Sequence, residues 1–436
     1  MSQRHLIAVS WCIPPALFPR SIQVARLLKG LSRLGWTSTV VTPAVKCLAA
    51  TDPLDGALGD YYSGYYRVAA VDLQRFDVQR ATWLNRRRRD MADEAALTGD
   101  EIWVKRASRA VRQLPAWKGA NVLATFAQPW RDHLVGLELL GSSRRLPWVA
   151  LFSDPWIDSP YLQDLPEEQK RREAVQEASV IEHADGVVFT NQYASDLVMN
   201  KYPVEWRKKV SVLPHAADPD LLSGADRLRE RPKNSNQPLR LSYVGNLFVG
   251  RRTAHGLFEA VARLKSRGGL DRGLELVFVG EGSGLAEAQD KATSLGLDGV
   301  VTFRRRLSHL ESLAAMRDSD ALILIDAPAE TNVFLPSKLA DYLMVERPIV
   351  ALTPRVGPSA EIVRQLGYPV VEPEDVSAIT GLLEDLLRRH SARTLGPSAA
   401  AAAFADRFGV DATARAFAGI TDEAIRNAQA RAASGL

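Results

Sequence analysis

Two glycines and two arginines surround a turn in the second half of the chain, where they could contact a phosphate group. The turn follows the apolar run Leu239–Val244 and reads VGNLFVGRR, which contains Gly245, Gly250, Arg251 and Arg252. Glycine lets a backbone come close to a ligand, and arginine pairs with phosphate oxygens through two parallel hydrogen bonds. The pattern therefore predicts a diphosphate contact, although a glycine turn beside arginines also occurs for structural reasons alone.

A second candidate for anion binding is the segment Pro336–Leu343, which reads PSKLADYL. We expect Ser337 to act as the N-cap of a helix over Ser337–Leu343. The free N–H groups at a helix start, with Lys338 beside them, favour a phosphate. The alternative is that Ser337 caps a surface helix whose Lys338 and Asp341 are merely solvated.

Polar side chains also follow two neighbouring strands predicted in the first half. His133 comes after Asn121–Thr125, and Asp154 comes after Trp148–Phe152. Residues beyond the carboxyl ends of parallel strands line the functional edge of an open α/β sheet. We therefore expect His133 and Asp154 to converge, even though a single histidine on a helix is more often structural.

Short apolar runs alternate with helical stretches along most of the chain, which is the pattern of β-α-β units. Several runs are apolar on both faces, as a parallel sheet covered by helices requires. The pattern predicts two doubly wound, Rossmann-like α/β domains that face each other across a cleft, a preferred place for small ligands. The strands expected from it include Leu6–Ser10, Ser38–Thr42, Asn121–Thr125, Trp148–Phe152, Gly186–Thr190, Leu239–Val244, Leu274–Val279, Val300–Phe303, Ala321–Ile325 and Ile349–Leu352.

The domain boundaries follow from breaks in this pattern. Residues 1–226 are expected to form the first domain, with an irregular insertion at about 49–112, and the polar stretch 227–238 to form a linker. Residues 239–397 are the second domain. The alanine-rich residues 398–436 have high helix propensity, and we expect them to pack back on the first domain as terminal helices.

Composition narrows the classes of protein further. The 436 residues contain only two cysteines, Cys12 and Cys47, and the seven histidines do not cluster, so we expect a reducing, cytoplasmic compartment and no metal site. The net charge is only +4. The basic residues nevertheless fall in clumps, which are either solvated faces or contacts to anionic lipid at an inner membrane surface. No binding motif accompanies the charge, so nucleic acid is not expected as a partner. The clumps are Arg86–Arg89, Arg144–Arg145, Lys170–Arg172, Arg207–Lys209 and Arg304–Arg306.

Taken in order, these motifs resemble glycosyltransferase family 4, the retaining enzymes of the GT-B fold, and in particular those of surface-polysaccharide assembly. The resemblance runs over nearly the whole chain and rests on the order and spacing of many short segments. Those in the first half are Gln23–Leu34, Thr39–Thr42, His133–Leu137, Pro147–Ala150, Asp154–Trp156, His183–Thr190 and Val212–Asp218. Those in the second half are Tyr243–Asn246, Val279–Gly282, Pro336–Leu343 and Arg347–Ala351.

The resemblance implies a nucleotide-diphosphate sugar held by the second domain and a glycan or lipid-linked acceptor held by the first. His133 would lie by the transferred sugar, and Asp154 near the acceptor or the reacting centre. No metal would be required, because cations and helix dipoles neutralise the leaving diphosphate. The residues that it assigns to the donor are Gly245, Asn246, Arg251, Arg252, Glu281, Pro336, Ser337, Lys338 and Asp341.

Two other functions stay open. A nucleotide-sugar epimerase could share this architecture, but it would need acidic residues flanking the sugar, and no such set is evident. A catalytically degenerate protein that only binds a nucleotide sugar or a partner is the second alternative. Val333 and Leu151 favour it, because many members of the family carry acidic residues at these two positions.

Overall fold

The computed structural model describes residues 4–48, 51, 64–68, 99–142, 145–159, 162–231, 237–270 and 273–434. The chain forms two compact units, of which unit 1 comprises Met1–Ala216 with Val410–Leu436 and unit 2 comprises Ala217–Gly409. Each unit contains a parallel β-sheet, seven-stranded in unit 1 and six-stranded in unit 2, with helices between successive strands. The prediction of two doubly wound, Rossmann-like domains is confirmed.

The sheet of unit 1 has the strand order β3-β2-β1-β4-β5-β6-β7. Leu6, Ile7, Ala8 and Val9 of β1 are all fully buried, which means that both faces of this central strand are covered. The strands are β1 (His5–Val9), β2 (Thr37–Pro43), β3 (Gly64–Val68), β4 (Val122–Phe126), β5 (Trp148–Phe152), β6 (Gly186–Phe189) and β7 (Val210–Val212). The helices between them are α1 (Pro19–Arg33), α2 (Gly99–Gln113), α3 (Arg131–Leu140), α4 (Glu167–His183) and α5 (Gln192–Met199).

The sheet of unit 2 has the order β10-β9-β8-β11-β12-β13. As in unit 1, the first strand of the unit lies between its second and its fourth strand. Its central strand β11 is completely buried. The strands are β8 (Leu239–Val244), β9 (Leu274–Val279), β10 (Val301–Arg304), β11 (Ala321–Ile325), β12 (Ile349–Leu352) and β13 (Val370–Val371). The helices are α6 (Leu222–Asp226), α7 (His255–Ser266), α8 (Leu285–Ser294), α9 (His309–Arg317), α10 (Lys338–Met344), α11 (Pro358–Gln365), α12 (Val376–Ser391) and α13 (Ala399–Phe408).

The segment 49–112, predicted as an irregular insertion, is described in part. Within it β3 pairs in parallel with β2 and extends the sheet, and α2 packs beside α3. The remainder of that prediction, residues 49–50, 52–63 and 69–98, lies outside the described residues.

The chain leaves unit 1 earlier than residue 226, because residues 217–226 belong to unit 2. Part of the expected linker 227–238 is also bound to unit 2. There Arg229 Nε donates to Asp318 Oδ1 at 2.7 Å and Arg231 Nη1 lies 2.9 Å from Asp320 Oδ2. Charged side chains of the predicted linker therefore hold this stretch in place; residues 232–236 lie outside the described residues.

The last two helices belong to different units. Helix α13 is part of unit 2, whereas α14 (Val410–Ser434) packs against α1 in unit 1. Gly30 allows this close packing, since a Cβ there would lie 2.4 Å from the Val410 carbonyl oxygen. No helix in the described part of the chain is both long enough and apolar enough to cross a bilayer.

Candidate functional site

The turn after β8 brings its backbone close to Lys338 of unit 2. Gly245 has a φ of +144°, and a Cβ on it would lie 2.4 Å from Lys338 Nζ. Glycine is required here because a side chain would both strain the backbone and displace the amine. Further along, Phe248 and Arg252 exchange two backbone hydrogen bonds of 3.0 Å, which close a hairpin with Gly250 at its tip.

A second glycine loop, after β9, packs its backbone on this turn. A Cβ on Gly280 would lie 2.2 Å from the Gly245 carbonyl oxygen. The Glu281 N–H donates to Asn246 Oδ1 at 3.1 Å, and the Leu247 N–H donates to the Glu281 carbonyl oxygen at 3.1 Å. The structure thus brings Gly245, Asn246 and Glu281 together, and the Glu281 side chain is exposed.

The amine of Lys338 is the least satisfied polar group of this region. Its Nζ is shielded from solvent, has no hydrogen-bond partner among the described residues, and lies 3.9 Å from the centroid of the Tyr243 ring. Burial lowers the pKa of this amine well below its usual range, Arg252 lowers it further, and Asp326 opposes both effects. An anionic ligand would stabilise the charged form of such a group.

Asp326, directly after β11, organises the loops that carry these cations. Its buried carboxylate accepts hydrogen bonds from Asn332 Nδ2 at 3.0 Å and from Thr353 Oγ1 at 2.8 Å. Its Oδ1 lies 4.0 Å from Arg252 Nη2. One carboxylate therefore joins the segments that follow β8, β11 and β12. We call Gly245, Arg252, Asp326 and Lys338 the Lys338 cluster.

The start of α10 differs from the expected capped helix. Ser337 stands at the N-cap position, as predicted, but it has helical angles, φ −60° and ψ −29°, and its side chain makes no capping hydrogen bond. A side chain that caps a helix typically belongs to a residue with extended angles. Here the chain already turns at Pro336, whose carbonyl oxygen accepts the Leu339 N–H at 3.0 Å. Arg251, which was predicted with Arg252 as a diphosphate contact, is exposed on the hairpin.

Asp341 lies one helical turn beyond Lys338 and faces a different partner. Its Oδ1 is 3.5 Å from His309 Nε2, at the start of α9, and both side chains are largely buried. Helix α10 itself is fixed by Tyr342, whose hydroxyl donates to the Ile323 carbonyl oxygen at 2.9 Å. The structure therefore shows that Asp341, the acidic residue assigned to the donor by the resemblance, lies beside the imidazole of His309.

In unit 1, His133 lies at the start of α3, where α3 packs closely on β5. Its fully buried ring is 4.4 Å from the ring of Phe152, and its Nδ1 is 2.7 Å from Thr125 Oγ1. Thr125 Oγ1 also accepts the Trp148 Nε1–H at 2.9 Å, so this hydroxyl joins the two rings, and its contact with His133 can run in either direction. The other ring nitrogen of His133, Nε2, has no partner among the described residues.

The charge state of His133 follows from its surroundings. Burial lowers the pKa of the imidazole to about 3, and the nearby Arg20 guanidinium lowers it further. The ring is therefore neutral at physiological pH, and it acts as a hydrogen-bonding group rather than as a cation.

Asp132 and Arg20 complete this buried group. Asp132 accepts the backbone N–H of Trp11 at 2.6 Å and the indole N–H of Trp103 at 2.8 Å. Burial raises the pKa of its carboxyl to about 7, against the effect of those two donors. Arg20 donates a hydrogen bond to the Leu151 carbonyl oxygen at 3.2 Å. Burial lowers the pKa of the Arg20 guanidinium to about 10, although the nearby Asp154 opposes this effect.

Asp154 is held from two sides. It accepts a hydrogen bond from Gln128 Nε2 at 3.1 Å, at the end of the neighbouring strand. Two buried carboxylates of α4 fix the loop that follows it: Glu173 accepts the Trp156 indole N–H at 2.8 Å and Glu177 accepts the Ile157 N–H at 2.9 Å. His133 and Asp154 thus follow adjacent strands, β4 and β5. Arg20 interacts electrostatically with both, because it lowers the pKa of His133 and its own pKa is raised by Asp154.

Four of the residues that shape these sites escaped the sequence analysis. Asp326 had a usable signal, since it follows a fully apolar strand as Asp154 does, and Asp132 is the immediate neighbour of His133. Arg20 and His309 had none, because each reaches its partner only through the folding of distant segments.

No protein-family model matches the chain, and no curated protein matches its sequence. Several solved structures are similar in fold. Sucrose-phosphate synthase from Thermosynechococcus elongatus is 16% identical with a TM-score of 0.67, and the match covers 97% of this chain and 99% of that one. WaaG, a glycosyltransferase involved in lipopolysaccharide biosynthesis, is 16% identical with a TM-score of 0.61, over 95% and 99% of the two chains.

A third similar structure is HepE from Anabaena in complex with UDP. It is 15% identical with a TM-score of 0.60, and the match covers 96% of this chain and 99% of that one. At these identities the likeness shows the fold alone, which is the GT-B arrangement of two Rossmann-like domains.

The role of Asp326 in holding the loops can be tested by substitution. Asp326→Ala leaves the donors of Asn332 and Thr353 without their buried acceptor, and we expect the free energy of unfolding to fall by about 3 kcal/mol. Urea unfolding followed by circular dichroism measures this. Glu330→Ala, at an exposed position of the same loop, is the control and should stay within about 0.5 kcal/mol of the wild type. Equal effects of the two substitutions would contradict the assignment.

Proposed function

We propose that the protein is a retaining glycosyltransferase that moves a sugar from a nucleotide-diphosphate sugar to a glycan or lipid-linked acceptor. The observation that carries the proposal is the Lys338 cluster. It presents an enclosed amine without a partner among the described residues, beside Arg252 and a glycine turn whose backbone comes close to that amine. An anion is the ligand that such a group would bind most favourably. The shared GT-B fold supports a nucleotide sugar as the source of that anion.

In this proposal unit 2 binds the donor. Lys338, Arg252 and the exposed Arg251 neutralise the diphosphate, and the backbone of Gly245 approaches it. Three cations balance the charge of the leaving group, so the reaction needs no metal ion. Asn246, Glu281 and Ser337 line the same side, and the Asp341–His309 pair is available to the ribose or the base.

The chemical step follows from this charge balance. The bond between the sugar's anomeric carbon and the diphosphate oxygen breaks, and the acceptor hydroxyl oxygen bonds to the same face of that carbon. The hydroxyl proton passes to the departing phosphate oxygen. The protein contributes positioning and stabilisation of the growing negative charge, and no strong base is required.

Unit 1 would bind the acceptor and contact the transferred sugar. Three buried nitrogens in this part of the chain have no partner among the described residues: His133 Nε2, Trp130 Nε1 and Arg20 Nε. Each unsatisfied group costs about 1–3 kcal/mol, a cost that sugar hydroxyls would relieve. Asp154, beyond the end of the neighbouring strand, would accept a hydrogen bond from an acceptor hydroxyl. A polysaccharide or glycolipid at the inner membrane face fits such a set.

A panel of UDP-, GDP- and ADP-sugars tests the function directly. We expect one donor to raise the thermal unfolding midpoint, and nucleotide to be released when candidate glycan or lipid-linked acceptors are added, also in the presence of EDTA. Epimerisation of the free donor would instead favour the epimerase. Binding without release under any acceptor would favour a protein that only binds.

The binding of the diphosphate should depend on pH through Lys338. Its pKa is lowered in the free protein and rises when the diphosphate arrives, so binding takes up a proton and affinity falls as pH rises through the lowered pKa. Calorimetry with the nucleoside diphosphate, in buffers of different ionisation enthalpy, measures the uptake. Lys338→Met should lower affinity roughly 10–100-fold and abolish the uptake. Lys265→Met, at an exposed lysine of the same unit, should change neither; unchanged affinity in Lys338→Met contradicts the assigned phosphate contact.

His133 provides a test in which stability and activity move apart. His133→Phe keeps an aromatic ring against Phe152 and removes the unpartnered Nε2, but it also removes the partner of Thr125 Oγ1. These two effects oppose each other, so we expect the free energy of unfolding to change by no more than about 1–3 kcal/mol and donor affinity to stay the same, whereas the transfer rate falls at least tenfold. A rate equal to that of the wild type would mean that this nitrogen does not contact the sugar.

A further inference from the structure

The edge of the unit 1 sheet at β7 carries exposed valines beside half-buried aromatic side chains. Val204 is 73% exposed, and it begins a short 3₁₀ helix, Val204–Lys209, that leads into β7. The rings of Tyr202 and Trp206 stack at 5.7 Å beside it. Val212, in β7 itself, is 40% exposed. Large apolar groups of this kind at the edge of a sheet are unusual unless something covers them.

Beside these side chains lies an open recess with an empty volume of about 490 Å³. Trp206 forms part of its wall, and three cations line it: Lys208, Lys209 and Arg431 of α14. Lys209 Nζ lies 5.9 Å from the centroid of the Trp206 ring. The recess therefore combines an aromatic surface with positive charge, contributed by segments more than 200 residues apart in the chain.

The charged groups around the recess do not cancel one another. Arg431 pairs with the buried Asp185, and Lys209 donates to the Glu182 carbonyl oxygen at 2.5 Å. Glu205 is the remaining acidic side chain of the lining and is exposed. Lys208 is exposed as well and forms no ion pair with any described residue, so a positive excess remains at the rim.

Two of these cations are less basic than usual, mainly because they are partly buried. Burial, opposed by Glu182 and aided by Arg145, lowers the pKa of Lys209 to about 8. Burial and, to a smaller extent, Arg145 lower the pKa of Arg431 to about 10. Bound negative charge would relieve the crowding of these cations.

We propose that this surface, made of Val204, Trp206, Lys208, Lys209 and Arg431, docks the protein on a bilayer that contains anionic phospholipid. We call it the Trp206 surface. Tryptophan favours the boundary between head groups and acyl chains, and an exposed valine beside it can enter that boundary. Each basic residue near an anionic membrane contributes about 1 kcal/mol. The lipid phosphate occupies the recess between the cations.

The mixture of side chains favours a lipid surface over a protein partner. A stable protein interface buries about 800 Å² on each side around an apolar centre. Here the exposed apolar groups are a few side chains surrounded by lysines, which are depleted from the centres of protein interfaces. The proposal does not depend on glycosyl transfer, because docking requires neither a donor nor an acceptor.

Co-sedimentation of the full-length protein with vesicles tests the docking. We expect binding to vesicles with 30% phosphatidylglycerol, weak binding to pure phosphatidylcholine, and release at high salt because the attraction is screened. Lys208→Glu should lower the affinity for the anionic vesicles at least fivefold, the factor that corresponds to about 1 kcal/mol for one basic residue. Val204→Ser should lower it by a similar factor.

Two matched variants serve as controls. Lys105→Glu makes the same charge change at an exposed position of α2, which packs beside β2 and β3 at the other end of the sheet. Val175→Ser removes a valine that is 66% exposed on α4. This valine lies about 200° around that helix from Glu173 and Glu177, the residues that face the protein. Both controls should bind anionic vesicles as the wild type does.

Several outcomes would overturn the proposal. These are no binding to anionic vesicles at low salt, equal binding to both kinds of vesicle, or equal losses in the controls and the test variants. Inhibition of sedimentation by millimolar inorganic phosphate would indicate a site for a free anion instead. A change in oligomeric state in Val204→Ser or Lys208→Glu, with vesicle binding intact, would identify the surface as a contact between copies of the chain.

Discussion

The hydrogen bonding of parallel strands decides where the functional side chains of this protein lie. In each unit every strand pair of the described sheet is parallel, so the carboxyl ends of all strands meet at one edge. Helices must cover both faces of such a sheet, because its strands are apolar throughout. The carboxyl edge is then the place where polar residues can gather without interrupting the core. Asp154 and Asp326 stand there for this reason, each beyond the last apolar residue of its strand.

A buried carboxylate near that edge orders the loops in both units. In unit 2, Asp326 gathers Asn332, Thr353 and Arg252 from three segments. In unit 1, Asp132 gathers the Trp11 backbone and the Trp103 indole. Removing a carboxylate from water is costly, and several donors are needed to compensate the cost. The same donors fix the geometry of the loops. A buried carboxylate therefore holds its loops in place, because it needs all of these hydrogen bonds to be stable.

Much of this architecture could be predicted from the sequence, because strands apolar on both faces are a strong local signal. β5, β8, β9, β11 and β12 begin and end where the alternation of apolar runs placed them. The short edge strands β7 and β13 were missed, since three or two residues carry no detectable periodicity. Ser337 stands at the predicted N-cap position, but its side chain does not cap the helix, because the turn at Pro336 had already set helical angles.

Side-chain partners were harder to predict than elements. His133 was predicted beyond a strand and Lys338 at a helix start, and both residues lie at those places in the fold, but nothing local indicates that both would have an unpartnered nitrogen. Each nitrogen lacks a partner in the described part of the chain because of the residues that surround it. These are Phe152 and Thr125 around His133, and Tyr243 and Gly245 around Lys338. The pairing of Asp341 with His309 likewise depends on how α9 packs beside α10, which no spacing in the sequence records.

The two unpartnered nitrogens differ in a way that bears on their use. Burial keeps the His133 imidazole neutral, so it offers one hydrogen bond and responds little to charge. The Lys338 amine, in contrast, has lost much of its affinity for a proton and regains it only beside an anion. A neutral hydrogen-bonding nitrogen would suit a sugar hydroxyl, and a cation that forms on binding would suit a diphosphate. An unsatisfied buried nitrogen lowers the stability of the protein without ligand, and such costs persist where a ligand relieves them. The unsatisfied nitrogens of the two units thus match the chemistry of the proposed acceptor and donor.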